Sequence, residues 1–330
     1  MIKIGFLGCA HVHAATYCEE LSLSQQGCSV AVFDPDRARA DAFAAAHAAH
    51  DLTVASTPEA LCAMVDAVII TGEHVTYPEH VAVAATAGVP VLCEKPLGTS
   101  AEAAKSILSS GAWLSVAFPV RYAQPVRQAK AAIENGSLGA LVAMSGTNHA
   151  AFPGGFFGTR SESGGGALID HVVHLADALR WLTGCEYRTV YAEAGRFSRV
   201  GDVEDAGQVV VTTTDGAWAS IDPSWSRPVG MPGANDLVMT LWFENGRLSI
   251  DAFARHGLLV DEGGAVTQLP YGRSMDAELL DDWLTAIRLG SAPPVPMEDG
   301  WKATQVALAA LTSAQYGTVV DITDQKDGSA

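Results

Sequence analysis

Six short apolar runs punctuate the first 118 residues, with helical stretches between them. The runs are 2–7, 29–33, 54–55, 66–70, 89–93 and 112–118. Each is too short for a helix, and most are too continuously apolar for a strand with one wet face. Helix signals fill the gaps: a stretch over 11–23, an alanine-rich one over 37–50, a start at Thr57-Pro58-Glu59, and 78–87 closed by Gly88. Parallel neighbours need a crossover, and a sheet apolar on both faces needs cover on both. Residues 1–119 are therefore expected to form an α/β domain built on a doubly wound parallel sheet, ending at Pro119.

The alternation then stops. After a helix expected over 125–134 and a strand over 140–148, the stretches 188–194, 208–214, 217–222, 237–243, 247–251 and 258–260 read as strands with little helix between them. Asp215-Gly216 and Asn245-Gly246 are hairpin signals. Helices return over 275–289 and 301–315, and the tail from Thr323 is polar. Residues 120–330 thus read as a C-terminal α+β domain with a mainly antiparallel open sheet, which argues against an eight-fold barrel. An open sheet face invites a second copy, so a homo-oligomer, dimer or tetramer, is expected.

Composition narrows the partners. Formal net charge is −17, and no Lys/Arg cluster is present, so nucleic acid and anionic membrane are not expected partners. No window reaches the length of a transmembrane helix, and the N-terminus moves straight into a strand without a leader pattern. The six cysteines form no Cys-x-x-Cys pair, which fits reduced thiols in a cytoplasmic protein.

Residues 163–184 read as a helix entered through Gly164, Gly165 and Gly166 and stopped by Gly184. Leu168, Val172, Leu175, Leu179 and Leu182 make an apolar stripe. Asp170, His174 and Asp177 share another face, being four and three residues apart. A carboxylate beside an imidazole suits proton transfer, although an ion pair on a solvated helix face has the same spacing. The glycines are expected to let backbone pass close to cofactor or substrate.

The turn after the first run reads Gly8-Cys9-Ala10-His11-Val12-His13. It keeps only the first glycine of the dinucleotide fingerprint Gly-x-Gly-x-x-Gly. Asp34 ends the second run, 26 positions beyond Gly8, where an acid hydrogen-bonds an adenosine ribose and disfavours a 2′-phosphate. That favours NAD, while Arg37 nearby keeps NADP within reach. His11 and His13 also have the spacing of a strand-end metal pair, the mark of a metal-dependent hydrolase. The fifth run leads into Glu94-Lys95-Pro96, whose proline holds Lys95 extended at the sheet's carboxyl edge.

At this point the sequence resembles the glucose-fructose oxidoreductase/inositol dehydrogenase/MocA (Gfo/Idh/MocA) family. The likeness rests on the first strand and turn, on Asp66-Ala-Val-Ile-Ile70, on 88–96 with Glu94-Lys95-Pro96, and on 164–174 with Asp170-x-x-x-His174. It implies a Rossmann NAD(P)-binding domain over 1–119, a substrate-binding and oligomerisation domain over 120–330, and a cis peptide before Pro96. Two stretches depart from the family pattern: the glycine fingerprint, and Gly72-Glu73-His74 where many members have Thr-Pro-Asn.

The expected activity is hydride transfer between nicotinamide and a secondary alcohol or ketone of a sugar, polyol or sugar-like substrate. Gly8, Ala10, His11, Val12, Asp34, Arg37, Thr71, Gly72, Glu73, His74, Glu94 and Lys95 are the candidate cofactor residues. His174 is the candidate base, Asp170 its partner, and Lys95 the cation that binds the reacting oxygen. Arg121, Tyr122, Asn148, His149 and His171 are candidate substrate contacts, with His171 expected to buttress rather than react. No metal is expected in this reading. A dinucleotide-binding sensor without turnover is the other alternative, and it has no need of a proton-transfer set. Cleavage of a glycoside by the same hydride step is a lesser one.

Overall fold

The computed structural model describes residues 1–198, 201–228, 235–254, 256–260, 266–270 and 272–322, with 256–260 and 266–270 described by backbone alone. The polar tail from Thr323 lies outside them. In chain order the first elements are β1 (Ile2–Leu7), α1 (His13–Leu23), β2 (Gly27–Phe33), α2 (Arg37–Ala46), β3 (Thr53–Val54), α3 (Pro58–Cys62), β4 (Ala67–Ile70), α4 (Tyr77–Ala87), β5 (Val91–Glu94), α5 (Ala101–Leu108) and β6 (Leu114–Ala117). They are followed by α6 (Gln124–Glu134), β7 (Leu141–Thr147), the single turn α7 (Arg160–Ser163), α8 (Ala167–Thr183), β8 (Tyr187–Gly195), β9 (Ala206–Thr213), β10 (Trp218–Asp222), β11 (Val238–Phe243) and β12 (Gly246–Asp251). The hairpin β13 (His256–Val260) and β14 (Val266–Pro270), the helices α9 (Met275–Leu289) and α10 (Met297–Tyr316), and the short β15 (Val320–Asp321) complete the chain.

Two compact units result, and neither is one continuous stretch. The first holds residues 1–119, 161–164 and 275–304; the second holds 120–160, 165–274 and the chain from Gln305. The C-terminal helix α9 thus belongs with the N-terminal sheet, which the linear sequence reading does not anticipate.

In the first unit six strands run parallel in the order β3-β2-β1-β4-β5-β6. Ile4, Phe6, Leu7, Val68, Ile69, Ile70, Val91, Leu92, Leu114 and Val116 are inaccessible to solvent, as strands covered on both faces require. The helices start where sequence places caps. Asp36 accepts from the Ala38 and Arg39 amides, Thr57 precedes Pro58, and Ser100 opens α5 in a stretch for which the sequence reading names no element. Strand order reverses between β1 and β4, and ligands enter such sheets at the carboxyl ends of the strands beside that reversal.

In the second unit seven strands pair in the order β12-β11-β7-β10-β9-β8-β15. All neighbours are antiparallel except β7 and β10. Period-two alternation puts Met144, Val209, Val211, Ala219, Ile221, Met239 and Leu241 on the buried face. Helix α8 packs on this sheet and on α6. Every α8 residue from Ala167 to Leu179 is buried, so the helix has no solvated face there. The alternative of an ion pair on a solvated face does not hold: Asp170, His174 and Asp177 are interior groups.

The glycines before α8 have a packing task. A Cβ on Gly166 would stand 1.8 Å from the Glu204 carbonyl oxygen, and one on Gly165 would stand 3.0 Å from Leu311. They let the helix start close against neighbouring chain. Gly166→Ala is expected to destabilise the protein by about 1–3 kcal/mol, the usual cost of overpacking. Denaturant unfolding checks this, and an unchanged midpoint contradicts it.

Candidate active site

Three loops meet beside the strand-order reversal in the first unit. The Gly8 amide donates to Phe33 O at 2.7 Å, the Thr71 hydroxyl to Gly8 O at 2.7 Å, and the His11 amide to Thr71 O at 2.9 Å. Gly8 has φ +80°, and a Cβ there would lie 2.3 Å from Gly72 Cα. The first fingerprint glycine keeps its reason, and Gly72 is the second half of the same backbone contact. This bare-backbone turn at the start of α1, with a buried carboxylate at the end of β2, fits a dinucleotide.

That carboxylate is Asp34, which accepts from the Cys9 amide at 2.8 Å and the Asp36 amide at 2.9 Å. Its cation is not Arg37, which reaches Asp41 at 2.9 Å on an exposed face. Arg39 takes that place: its Nε donates to Asp34 Oδ2 at 2.9 Å, and its Nη2 to Asp34 Oδ1 at 2.7 Å and to Glu73 Oε1 at 2.5 Å. Sequence reasoning missed Arg39 because the phase of α2, fixed by the Asp36 cap, decides which arginine turns towards the sheet.

Glu94 is fully buried at the end of β5. Its Oε1 accepts from the Tyr17 hydroxyl at 2.5 Å and meets His13 Nδ1 at 2.8 Å, while its Oε2 accepts from the Lys95 amide at 3.2 Å. Tyr17 follows His13 by one helical turn, a spacing readable in the sequence but not singled out there. Burial raises the Glu94 carboxyl, but His13 and His11 outweigh it and hold the group below the usual carboxylate range. For His13 burial pulls downward, the Glu94 charge and hydrogen bond pull upward, and the net shift is upward. Burial dominates at His11 and pushes it well below the ordinary imidazole value. Lys95 is buried and its peptide bond to Pro96 is cis. His74 is buried, with Nδ1 3.0 Å from Ser163 O. Ala10 is half-buried and Val12 exposed.

The ligating atoms of His11, His13 and Glu94 lie within 4.8 Å of one another. The donor chemistry does not suit a metal, however. His11 Nδ1 accepts the His13 amide at 3.2 Å, so the neutral ring carries its proton on Nε2, the atom 3.9 Å from Glu94 Oε2. Metal-bound histidines instead donate from the far nitrogen and offer a lone pair inward. The group is a hydrogen-bonded support for a buried carboxylate.

In the second unit Asp170 Oδ2 accepts from Trp225 Nε1 at 3.1 Å and lies 3.2 Å from His171 Nε2. His171 Nδ1 is 2.8 Å from Pro223 O, and its ring centroid is 6.5 Å from that of His174. All four side chains are at most 9% exposed. Trp225 carries no motif and was invisible to sequence reasoning. Arg121 grips Asp177 through two hydrogen bonds, at 2.8 and 2.5 Å, in a buried pair. Its expected place as a substrate contact therefore gives way to a packing role, and Asp177 is its structural partner. Tyr122 is buried under the Arg127 guanidinium, 4.9 Å from its ring centre. Asn148 Nδ2 donates to Asp236 O at 2.9 Å, and its Oδ1 is buried with no partner among the described residues. His149 stands between Asp236, at 2.9 Å, and Asp222, at 3.3 Å.

These features define an NAD-binding Rossmann unit joined to an α+β unit that carries buried acid–base groups. Two family models match the chain: the oxidoreductase family's NAD-binding Rossmann fold over residues 2–120, and the GFO/IDH/MocA C-terminal domain over residues 126–249. The chain belongs to the GFO/IDH/MocA oxidoreductases, and it is an NAD-dependent enzyme. It is 29% identical to inositol 2-dehydrogenase 2 of Saccharopolyspora erythraea, over 97% of this chain and 95% of that one. Its fold matches myo-inositol 2-dehydrogenase from Lactobacillus plantarum with a TM-score of 0.82 at 22% identity, covering 97% of this chain and 99% of that one. It matches GenD2 from gentamicin A biosynthesis, solved in complex with NAD, with a TM-score of 0.83 at 23% identity, covering 97% and 96%.

The His13–Glu94 pair makes stability pH-dependent. His13 is raised, so its contribution is complete below the ordinary imidazole value of 6.5 and is lost as pH rises through the raised value. Glu94 is lowered, so its contribution is complete above the ordinary carboxyl value of 4.5 and is lost as pH falls through the lowered value. Denaturant melts of wild type and His13→Gln are expected to differ more at about pH 5.5 than at about pH 9. A difference independent of pH contradicts the pairing.

Proposed function

We propose that this chain oxidises a ring secondary alcohol of a cyclic polyol or sugar, or reduces the matching ketone. NAD, when bound, supplies the hydride acceptor. His174 accepts the hydroxyl proton, a task suited to an imidazole. Asp170, a carboxylate held by Trp225 and beside His171, favours the charged ring that results. The Lys95 ammonium binds the reacting oxygen and stabilises negative charge developing on it. Asn148 Oδ1, buried without a partner among the described residues, is an acceptor for a neighbouring substrate hydroxyl.

The observation that carries this reading is the buried group Asp170, His171 and His174 on α8. Buried ionisable groups are costly, and a merely structural helix has apolar substitutes for them. The names of the relatives support the cyclic polyol: the Saccharopolyspora and Lactobacillus proteins are inositol 2-dehydrogenases. In a nicotinamide absorbance screen of inositols, sugars and sugar acids, turnover is expected with at least one. With that substrate His174→Ala should lose roughly 10²–10⁴-fold in kcat. Full turnover by His174→Ala sinks the assignment.

We also propose that the chain self-associates through the outer face of its second sheet. Register places Trp218, Ala143 and Trp242 in one row across three strands, Val210 in the next row on that face and Val238 in the row beyond it. Trp218 is 49% exposed and Val210 42%. An apolar patch on an open face suits a second copy of the same surface. Among the described residues no helix is long and apolar enough to cross a membrane. The six cysteines are unpaired, which suits a reducing cytoplasm. Sedimentation is expected to show a dimer or tetramer, and Trp218→Arg with Trp242→Arg to shift it towards monomer. A wild-type monomer at micromolar concentration refutes the interface.

A further inference from the structure

The cation beside Asp34 is shared, and the sharing bears on which dinucleotide the edge admits. An ionised carboxylate offers about four acceptor directions. In Asp34 all are taken: Oδ2 by the Cys9 amide, Arg39 Nε and, at 3.4 Å, the Cys9 thiol, Oδ1 by the Asp36 amide and Arg39 Nη2. The amide bonds belong to fixed backbone, and the thiol is buried beside one of them. Arg39 is the partner with another acceptor within reach.

Arg39 has somewhere to go. Its Nη2 already touches Glu73 Oε1 at 2.5 Å. The other oxygen, Glu73 Oε2, is buried and has no hydrogen-bond partner among the described residues. Arg39 Nη1 makes no hydrogen bond to a described residue. A small rotation of the guanidinium would therefore exchange the two-toothed grip on Asp34 for one on Glu73, a geometry the two planar groups favour.

We infer that Glu73 is the residue that selects NAD over NADP, by holding Arg39 clear of Asp34 and by adding a second negative charge where a 2′-phosphate would lie. This rests on the reading that Asp34 meets the adenosine ribose. With Arg39 on Glu73, two acceptor directions of Asp34 open for the two ribose hydroxyls. The cluster of Asp34, Glu73 and Arg39 carries one net negative charge, which repels a phosphate. Without the Glu73 charge the same cluster is neutral, and Arg39, with Nη1 open and no Glu73 carboxylate to hold it, can turn to that phosphate. Arg37 does not change the sum, because Asp41 neutralises it. Glu73 stands in the loop after β4, where the sequence departs from the family's usual pattern.

The test is binding rather than turnover. Dissociation constants for NADH and NADPH are measured by nicotinamide fluorescence on wild type, Glu73→Gln, Arg39→Ala, the double variant and Asp34→Asn. Glu73→Gln is expected to improve NADPH relative to NADH by about tenfold or more, since like charges across an interface are costly. The double variant should lose that gain, because Arg39 supplies the phosphate contact. If Glu73→Gln folds poorly, Glu73→Thr serves, because the ratio of two ligands on one protein is the readout. An unchanged ratio in Glu73→Gln, with NADH weakened in Asp34→Asn, overturns the role of Glu73 and leaves the ribose reading standing. Unaltered NADH binding in Asp34→Asn overturns the ribose reading and this inference with it.

Discussion

Charge taken out of water is the constraint on which the rest of this structure depends. Glu94 ends a strand inside the first unit with no solvent access, and Asp170 and Asp177 lie inside the second. An isolated buried carboxylate is costly, so each has been given partners. Glu94 has a tyrosine hydroxyl, an imidazole and a backbone amide. Asp177 has both teeth of an arginine. Asp170 has an indole N–H and a histidine. These partners dictate much of the local architecture, from the phase of α1 to the placement of Arg121 and Trp225.

The same constraint separates structural from chemical ionisable groups. Asp177 is matched by one cation through two hydrogen bonds and has a packing role. Asp170 accepts from an indole N–H and lies beside the His171 ring, the surroundings from which our proposal has it support proton transfer at His174. Likewise Asp34 is saturated, but two of its five hydrogen bonds come from Arg39, which has Glu73 as a second partner. A dinucleotide edge must be stable before its ligand arrives and able to release acceptors when it does.

Much of the fold was legible because burial on both faces writes itself into sequence as continuous apolar runs. β1, β4 and β5 fall within about two residues of the runs that predict them. The hairpins were legible through Asp215-Gly216 and Asn245-Gly246. Less was legible where a side chain's direction depends on helix phase or on a distant element. Arg37 and Arg39 are equivalent in a sequence, and only the cap at Asp36 turns the second inward. The charged residues of α8 left a wet face and a proton-transfer face both open, and partners from elsewhere in the chain, Arg121 and Trp225, let that face be buried. The return of α9 to the first unit is a long-range choice with no local signature.

In the proposed reaction, hydride passes to NAD from a ring carbon bearing a hydroxyl. This is tested most directly with a cyclic polyol deuterated at that carbon, followed by NMR of the nicotinamide product. One deuterium per turnover is expected at the nicotinamide ring, with turnover slower than for the protiated polyol when the chemical step limits the rate. Oxidised polyol formed without deuterium in the nicotinamide would contradict it.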